Sequence, residues 1–171
     1  MLIVLALVIS ACLLRAQISS AVVTRGDDLA FWGNEHAAVG KYSLALWIDA
    51  NNDIAADRFA FAAVRVHDPV LMSEAIRITA KALSANPLNE TLIMDRALCL
   101  HAGGSYARAA TDFATVGRLR RDARALTFAA LDLQRIHRTS EARALLRTAI
   151  AYEPGFLPAR RAFERSKLWR S

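Results

Sequence analysis

Histidine and cysteine are the residues of this 171-residue chain best suited to metal binding or proton transfer. There are four histidines, His36, His67, His101 and His137, and none stands in an HxxxH or HExxH spacing. His67 and His101 are 34 residues apart, which on a repeat of that length gives them equivalent places on neighbouring helices. Neighbouring helices stand ~10 Å apart, too far for a shared metal unless the side chains lean together. Cys12 and Cys99 form no CxxC or Cys/His pair, so neither a zinc site nor a disulfide framework is expected. Both read as small buried hydrophobes. The stretch HAGGSYAR carries Gly103, Gly104 and Ser105 without the lysine of a phosphate loop, and reads as a turn between helices. With no GxGxxG, GxSxG or paired carboxylates either, the expectation is a chain without catalytic residues, metal or cofactor.

The net charge of +6 is unevenly spread: residues 1–89 hold 7 basic and 8 acidic side chains, residues 90–171 hold 15 and 8. Arg118, Arg120, Arg121 and Arg124 form the densest basic cluster. It reads either as a solvated turn or as a patch for anionic lipid or acidic protein. Nucleic acid fits less well, because aromatic residues make up 8% of the chain and none interleave with these arginines.

The elements that would position these residues are helices. Hydrophobic residues reach 54%, Ala and Leu abound, and there are only 7 Gly and 4 Pro to interrupt them. The first 14 residues, MLIVLALVISACLL, carry no charge. As a helix they reach about 21 Å, against a hydrocarbon core of ~30 Å. Extension to Val23 adds length and takes Arg15 and Gln17 along, with Arg15 able to snorkel to an interface. Three readings follow, in order: an uncleaved membrane anchor, a processed export signal, and a buried helix. The basic n-region of a signal peptide is missing, and ISAC resembles a lipobox ending at Cys12 although LLR follows it.

Three stretches share a form. ALWIDANN (45–52), ALSANPLN (82–89) and AIAYEPGF (149–156) each place an Ala and an aliphatic residue before a polar residue and a breaker. Pro87 and Pro154 are 67 residues apart, about two periods of 33–34. A degraded copy lies between them, with Arg121 where proline would stand. Small residues recur once per helix (Ala63 and Ala75, Ala97 and Ala109, Ala130 and Ala142), as close antiparallel packing requires. Gly104 with Ser105, and Thr139 with Ser140, fall where turn and N-cap chemistry belong.

Over residues 19–156 the chain resembles the tetratricopeptide repeat family, with copies at about 19–52, 56–89, 90–122 and 123–156 and a small insertion at 53–55. The resemblance implies an all-α fold, a right-handed superhelical solenoid of antiparallel helix hairpins. Residues 1–18 precede it as an apolar anchor or signal-like segment. Residues 157–171 follow as a basic capping helix, with Ala159, Ala162 and Phe163 inward and Arg160, Arg161, Arg165 and Lys167 outward. The resemblance also implies a concave groove lined by first helices, holding a peptide or a partner helix. Carried over by residue, Asp57, Val64 and His67 line it from the second copy and Met94, Leu98 and His101 from the third. Arg124, Thr127, Leu131, Gln134 and Arg135 follow from the fourth. An apolar segment with an acidic end suits this set, and so does simple packing of its aliphatic members between helices.

The expected function is a non-catalytic protein-interaction scaffold, membrane-tethered through residues 1–23, of the kind that supports assembly of an envelope complex. The alternative is an exported or soluble module binding a polyanion through its Arg-rich second half. The expected location is a bacterial inner membrane with the repeats in the periplasm, although Arg15 and Arg25 favour the opposite orientation. Self-association through the ends of the array stays open.

Overall fold

A computed structural model of the chain describes residues 1–166. Lys167, assigned above to the outward face of the last helix, lies outside them. The described residues are all-helical: α1 (Leu2–Phe31), α2 (Glu35–Ile48), α3 (Asp53–Val66), α4 (Pro69–Ala85), α5 (Glu90–Ala102), α6 (Tyr106–Leu119), α7 (Ala123–Arg135), α8 (Thr139–Tyr152) and α9 (Leu157–Ser166). They form two compact units, divided between Ala85 and Asn86. In the first, α1 packs on α2 and α3, and α3 on α4; in the second, α5 packs on α6, α6 on α7, α7 on α8, and α9 closes against α7 and α8.

Each hairpin is built around small residues. Ala63 and Ala75, Ala97 and Ala109, and Ala130 and Ala142 are all fully buried in helices that pack on one another. Where a crossing leaves even less volume, glycine stands, in α1 and in α6. A Cβ on Gly26 would fall 2.4 Å from the Tyr42 ring, and one on Gly117 would fall 2.7 Å from the Leu126 side chain. Tyr42, Phe59, Phe113, Leu92, Leu100, Leu126 and Leu146 fill the layers between.

Local chemistry sets the helix starts. Asn52, Asn89 and Asp122 cap α3, α5 and α7 by accepting backbone N–H groups of the first turn. The turns inside and between hairpins close by a shared device, a residue at positive φ followed by an N–H reaching five residues back. Gly33, Gly104, Arg121 and His137 hold that position, with Asn34 bonded to Leu29, Ser105 to Leu100, Asp122 to Gly117 and Arg138 to Leu133. Arg121 therefore ends its repeat by backbone conformation where proline was expected. Pro87 and Pro154 each stand two residues beyond a helix end, as expected.

Two expectations are corrected. Ser105 occupies the N-cap place of α6 but its hydroxyl makes no cap bond, and Thr139 and Ser140 lie within α8, which starts after Arg138. Residues 53–55 are no insertion either. They are the first turn of α3, because Asn52 caps it. The three extra residues are absorbed by α4, 17 residues long where α2, α6 and α8 have 14.

α1 runs unbroken for 30 residues, roughly 45 Å. Val23 and Gly26 of its C-terminal part are buried, whereas from Val4 to Ile18 its side chains are exposed. Cys12 is among them, against the expectation of burial, and Cys99 is buried. α9 carries Ala159 and Ala162 into the core and leaves Arg160, Arg161 and Arg165 exposed. It is fixed by Arg143, whose guanidinium donates to the Ser166 carbonyl (Nε at 2.9 Å), and by Arg147 over the Phe163 ring.

Backbone strain and close crossing make opposite predictions. Gly26→Ala and Gly117→Ala should each lose ~1–3 kcal/mol by overpacking. His137→Gly should gain about 1 kcal/mol by relieving the left-handed conformation. Urea unfolding followed by far-UV circular dichroism measures both, and a stable Gly26→Ala would show that the Tyr42 crossing is slack.

Candidate functional site

In the second unit the first-helix face belongs to α5 and α7. Leu98 and Leu131 are each the ninth residue of their helix and are half-buried, as are Met94 and Gln134, while Arg124 and Arg135 are exposed. Thr127 does not reach the surface. It is buried with its hydroxyl on the Ala123 carbonyl at 2.7 Å, a bond within its own helix.

The centre of this face is polar and aromatic. His101 Nδ1 lies 2.7 Å from Asp132 Oδ1, joining α5 to α7, with the imidazole about one-third exposed and the carboxylate fully buried. Rings of Tyr106, Phe113 and Phe128 surround the imidazole at centroid distances of 5.9–6.3 Å, and Phe128 stacks on Phe113 at 5.4 Å. Arg135 lies over the Tyr106 ring, 4.9 Å from its centroid, and donates to its hydroxyl at 2.9 Å. The second oxygen of Asp132 is buried without a hydrogen-bond partner. Burial pushes the Asp132 carboxyl above its usual range, opposed by the nearby His101 and Arg135.

His67 sits elsewhere. It ends α3 in the left-handed conformation (φ 62°), where His137 ends α7. The counterpart of His67 in the third pair is therefore the turn around Gly104, and the expected equivalence of His67 and His101 fails. The reason is spacing: α3 and α5 start 37 residues apart, at Asp53 and Glu90. By the same shift Val64 becomes the twelfth residue of α3, Asp57 the fifth, and Phe61 the ninth, which is the place of Leu98 and Leu131.

The first unit presents a charged counterpart. Asp27 accepts from the Tyr42 hydroxyl at 2.9 Å and from Arg58 Nε at 3.1 Å, and Arg58 also reaches Asp57 at 2.7 Å. Arg65 Nη2 lies 2.9 Å from Glu35. Burial and the Asp27 contact raise the Tyr42 phenol above its ordinary value. Phe31 and Phe61 stay exposed beside these pairs and share a shallow pocket with them.

The arginine cluster is exposed throughout but partly engaged: Arg120 pairs with Glu90, and Arg121 covers the Tyr152 ring at 4.8 Å. Burial, with a smaller contribution from Asp95, raises the Cys99 thiol to about 12, which removes it as a nucleophile near neutral pH. No group of three or more His, Cys, Asp or Glu side chains suited to a metal occurs among the described residues. Phe128, Asp132, Tyr106 and Phe61 were not foreseen. The Asn52-to-Asn89 spacing of 37 was the available signal for Phe61, and an Asp in the middle of an apolar helical face was the signal for Asp132.

Helix pairs of about 34 residues with buried small residues at each crossing define the tetratricopeptide-like class of all-α hairpin repeats. Comparison with known proteins agrees. No protein-family model and no curated protein matches the sequence. Among solved structures, the fold is similar to a MamA crystal structure (TM-score 0.77, 16% identity, 88% of this chain and 81% of that one). It is similar to MamA from Desulfovibrio magneticus RS-1 (0.74, 14%, 90% and 84%). A tetratricopeptide repeat protein from Parabacteroides merdae ATCC 43184 matches too (0.73, 17%, 88% and 60%). At these identities the likeness is one of fold.

The buried carboxyl gives a pH signature. Asp132 is raised in the folded chain, so its contribution is fully present below the unfolded value of ~3.9 and is lost as pH rises through the folded value. Stability of the parent relative to Asp132→Asn should therefore fall from acid towards neutral pH. A pH-independent difference in urea midpoints would show that burial does not penalise the ionised form.

Proposed function

We propose that the chain is a non-catalytic scaffold, tethered to a membrane by the first part of α1, that holds a peptide or partner helix on the α5–α7 face. The observation that supports this most directly is the composition of that face. Leu98, Leu131 and Phe128 offer an apolar strip, and Arg135 provides a cation beside it. An amphipathic segment could lay its apolar side on the strip and place an acidic residue at Arg135.

Tethering is supported by α1. From Val4 to Phe31 it is long and apolar enough to cross a membrane, and it is the one such helix among the described residues. A signal sequence passes the same length and composition test. A polyanion-binding reading is less favoured, because Glu90 and Tyr152 already engage two of the four clustered arginines.

Photo-crosslinkers at Leu98 and Leu131 in living cells should capture one partner, while the same group at exposed Ala144 should not. Arg135→Glu should weaken that capture roughly tenfold, about 1.4 kcal/mol. Equal capture at Ala144, or none at either leucine, would reject the face. Carbonate extraction tests the tether separately: the chain should stay with the membranes, and release of the intact, unlipidated chain would remove the anchor while leaving the groove.

A further inference from the structure

The exposed first part of α1 carries no charge from residue 1 to residue 14. Val4, Leu5, Leu7, Val8, Ile9, Leu13, Leu14 and Ile18 are 46–65% exposed. At 100° per residue they spread over roughly 260° of the circumference, with Ala6, Ser10 and Gln17 in the remaining sector and no charged face opposite them, the pattern of a helix surrounded by hydrocarbon rather than one laid on a surface.

Where this segment leaves the repeat, three bonds fix its height. Arg15 Nε donates to the Ile48 carbonyl, the last residue of α2. The Ser19 hydroxyl donates to the Ala45 carbonyl at 2.9 Å, and Asn52 Nδ2 donates to Ser19 Oγ at 2.8 Å. These bonds bring the end of α2 and the start of α3 level with residues 15–19. At that level Trp47 is 80% exposed and Ile54 58% exposed. The core makes little use of either. Trp47 shares a surface hollow with Ile78, Arg77 and Lys81 of α4.

A Trp ring and a Lys or Arg stem are the side chains that sit best at a bilayer boundary, with apolar body in and polar tip out. We propose that this end of the first unit is itself a bilayer-contacting surface, with Trp47 and Ile54 seated in the glycerol and headgroup layer around the emerging helix. The proposal rests on the tether reading and adds to it: the repeat would lie directly on the membrane. Charge at this end nearly cancels. Asp49 and Asp53 stand beside the exit, and Glu74 lies 3.6 Å from Arg77. Apolar insertion therefore drives the contact, and neutral lipid should suffice with little dependence on salt.

The test compares two single-tryptophan chains reconstituted in phosphatidylcholine vesicles and recovered by flotation. One keeps Trp47 (Trp32→Phe, Trp169→Phe); the other keeps Trp32 (Trp47→Phe, Trp169→Phe), about 25 Å along α1 from Arg15. In floated vesicles Trp47 should emit at shorter wavelength, be quenched by lipid brominated near the headgroup, and lose most of its quenching by aqueous iodide. Trp32 should keep a water-exposed spectrum and full iodide quenching. If Trp47 in floated vesicles behaves as Trp32 does, the surface is refuted and the tether survives. If neither chain floats while circular dichroism shows both folded, the tether fails and takes this surface with it.

Discussion

Close approach of helices is the constraint on which the rest depends. Two helices packed with only Ala or Gly side chains at their crossing bury backbone as well as side chain, and dispersion contacts accumulate along the seam. Ala63, Ala97, Ala130 and their partners serve this in three hairpins. In the first hairpin Gly26 yields further, and the Tyr42 ring fills the space a Cβ would take. The ring must then satisfy its hydroxyl, and Asp27 one residue along accepts it. Packing in the core thus dictates a charge on the first-helix face, and Arg58 follows to balance it.

The second unit solves a similar problem with less symmetry. Asp132 sits where the neighbouring position of α5 holds Cys99, the tenth residue of its helix, and a buried carboxylate there must find a donor. His101 supplies one, at the cost of leaving the other oxygen unpaired. A Leu or Ala at residue 132 would fill the core more simply. The Asp132 contact ties the orientation of a one-third exposed imidazole on α5 to the buried side of α7, and that imidazole lies among Tyr106 and Phe128 on the open face.

The sequence made the helical class and the periodicity legible because both depend on local residue types: Ala at the crossings, Asn or Asp at helix starts, Pro beyond helix ends. Phase was harder. A count from Pro87 backwards puts the second copy at Ala56, whereas the Asn52 side chain starts α3 at Asp53. Proline reports where a helix has ended and says nothing of its length, so the longer α4 was invisible. That slip alone paired His67 with His101. Thr127 was misplaced for another reason: the family pattern puts that position on the groove, but its hydroxyl can bond its own helix and be buried. Phe128 and Asp132 depend on contacts between hairpins, which no spacing within one repeat reports.

The open faces and the exposed half of α1 differ in a way that bears on their roles. On the α5–α7 face, Met94, Leu98 and Leu131 are half-buried and interrupted by His101, Gln134 and Arg135, a composition that water tolerates. Along Val4–Leu14 only Ser10 is polar, and the side chains are exposed throughout. Burial of such a surface is worth about 25 cal/mol per Å², so leaving it in water is costly in a way that the groove is not. The first surface is tolerated in water as it stands. The second requires its surroundings from the start, and the bonds from Arg15, Ser19 and Asn52 hold the repeat at a fixed distance from whatever those surroundings are.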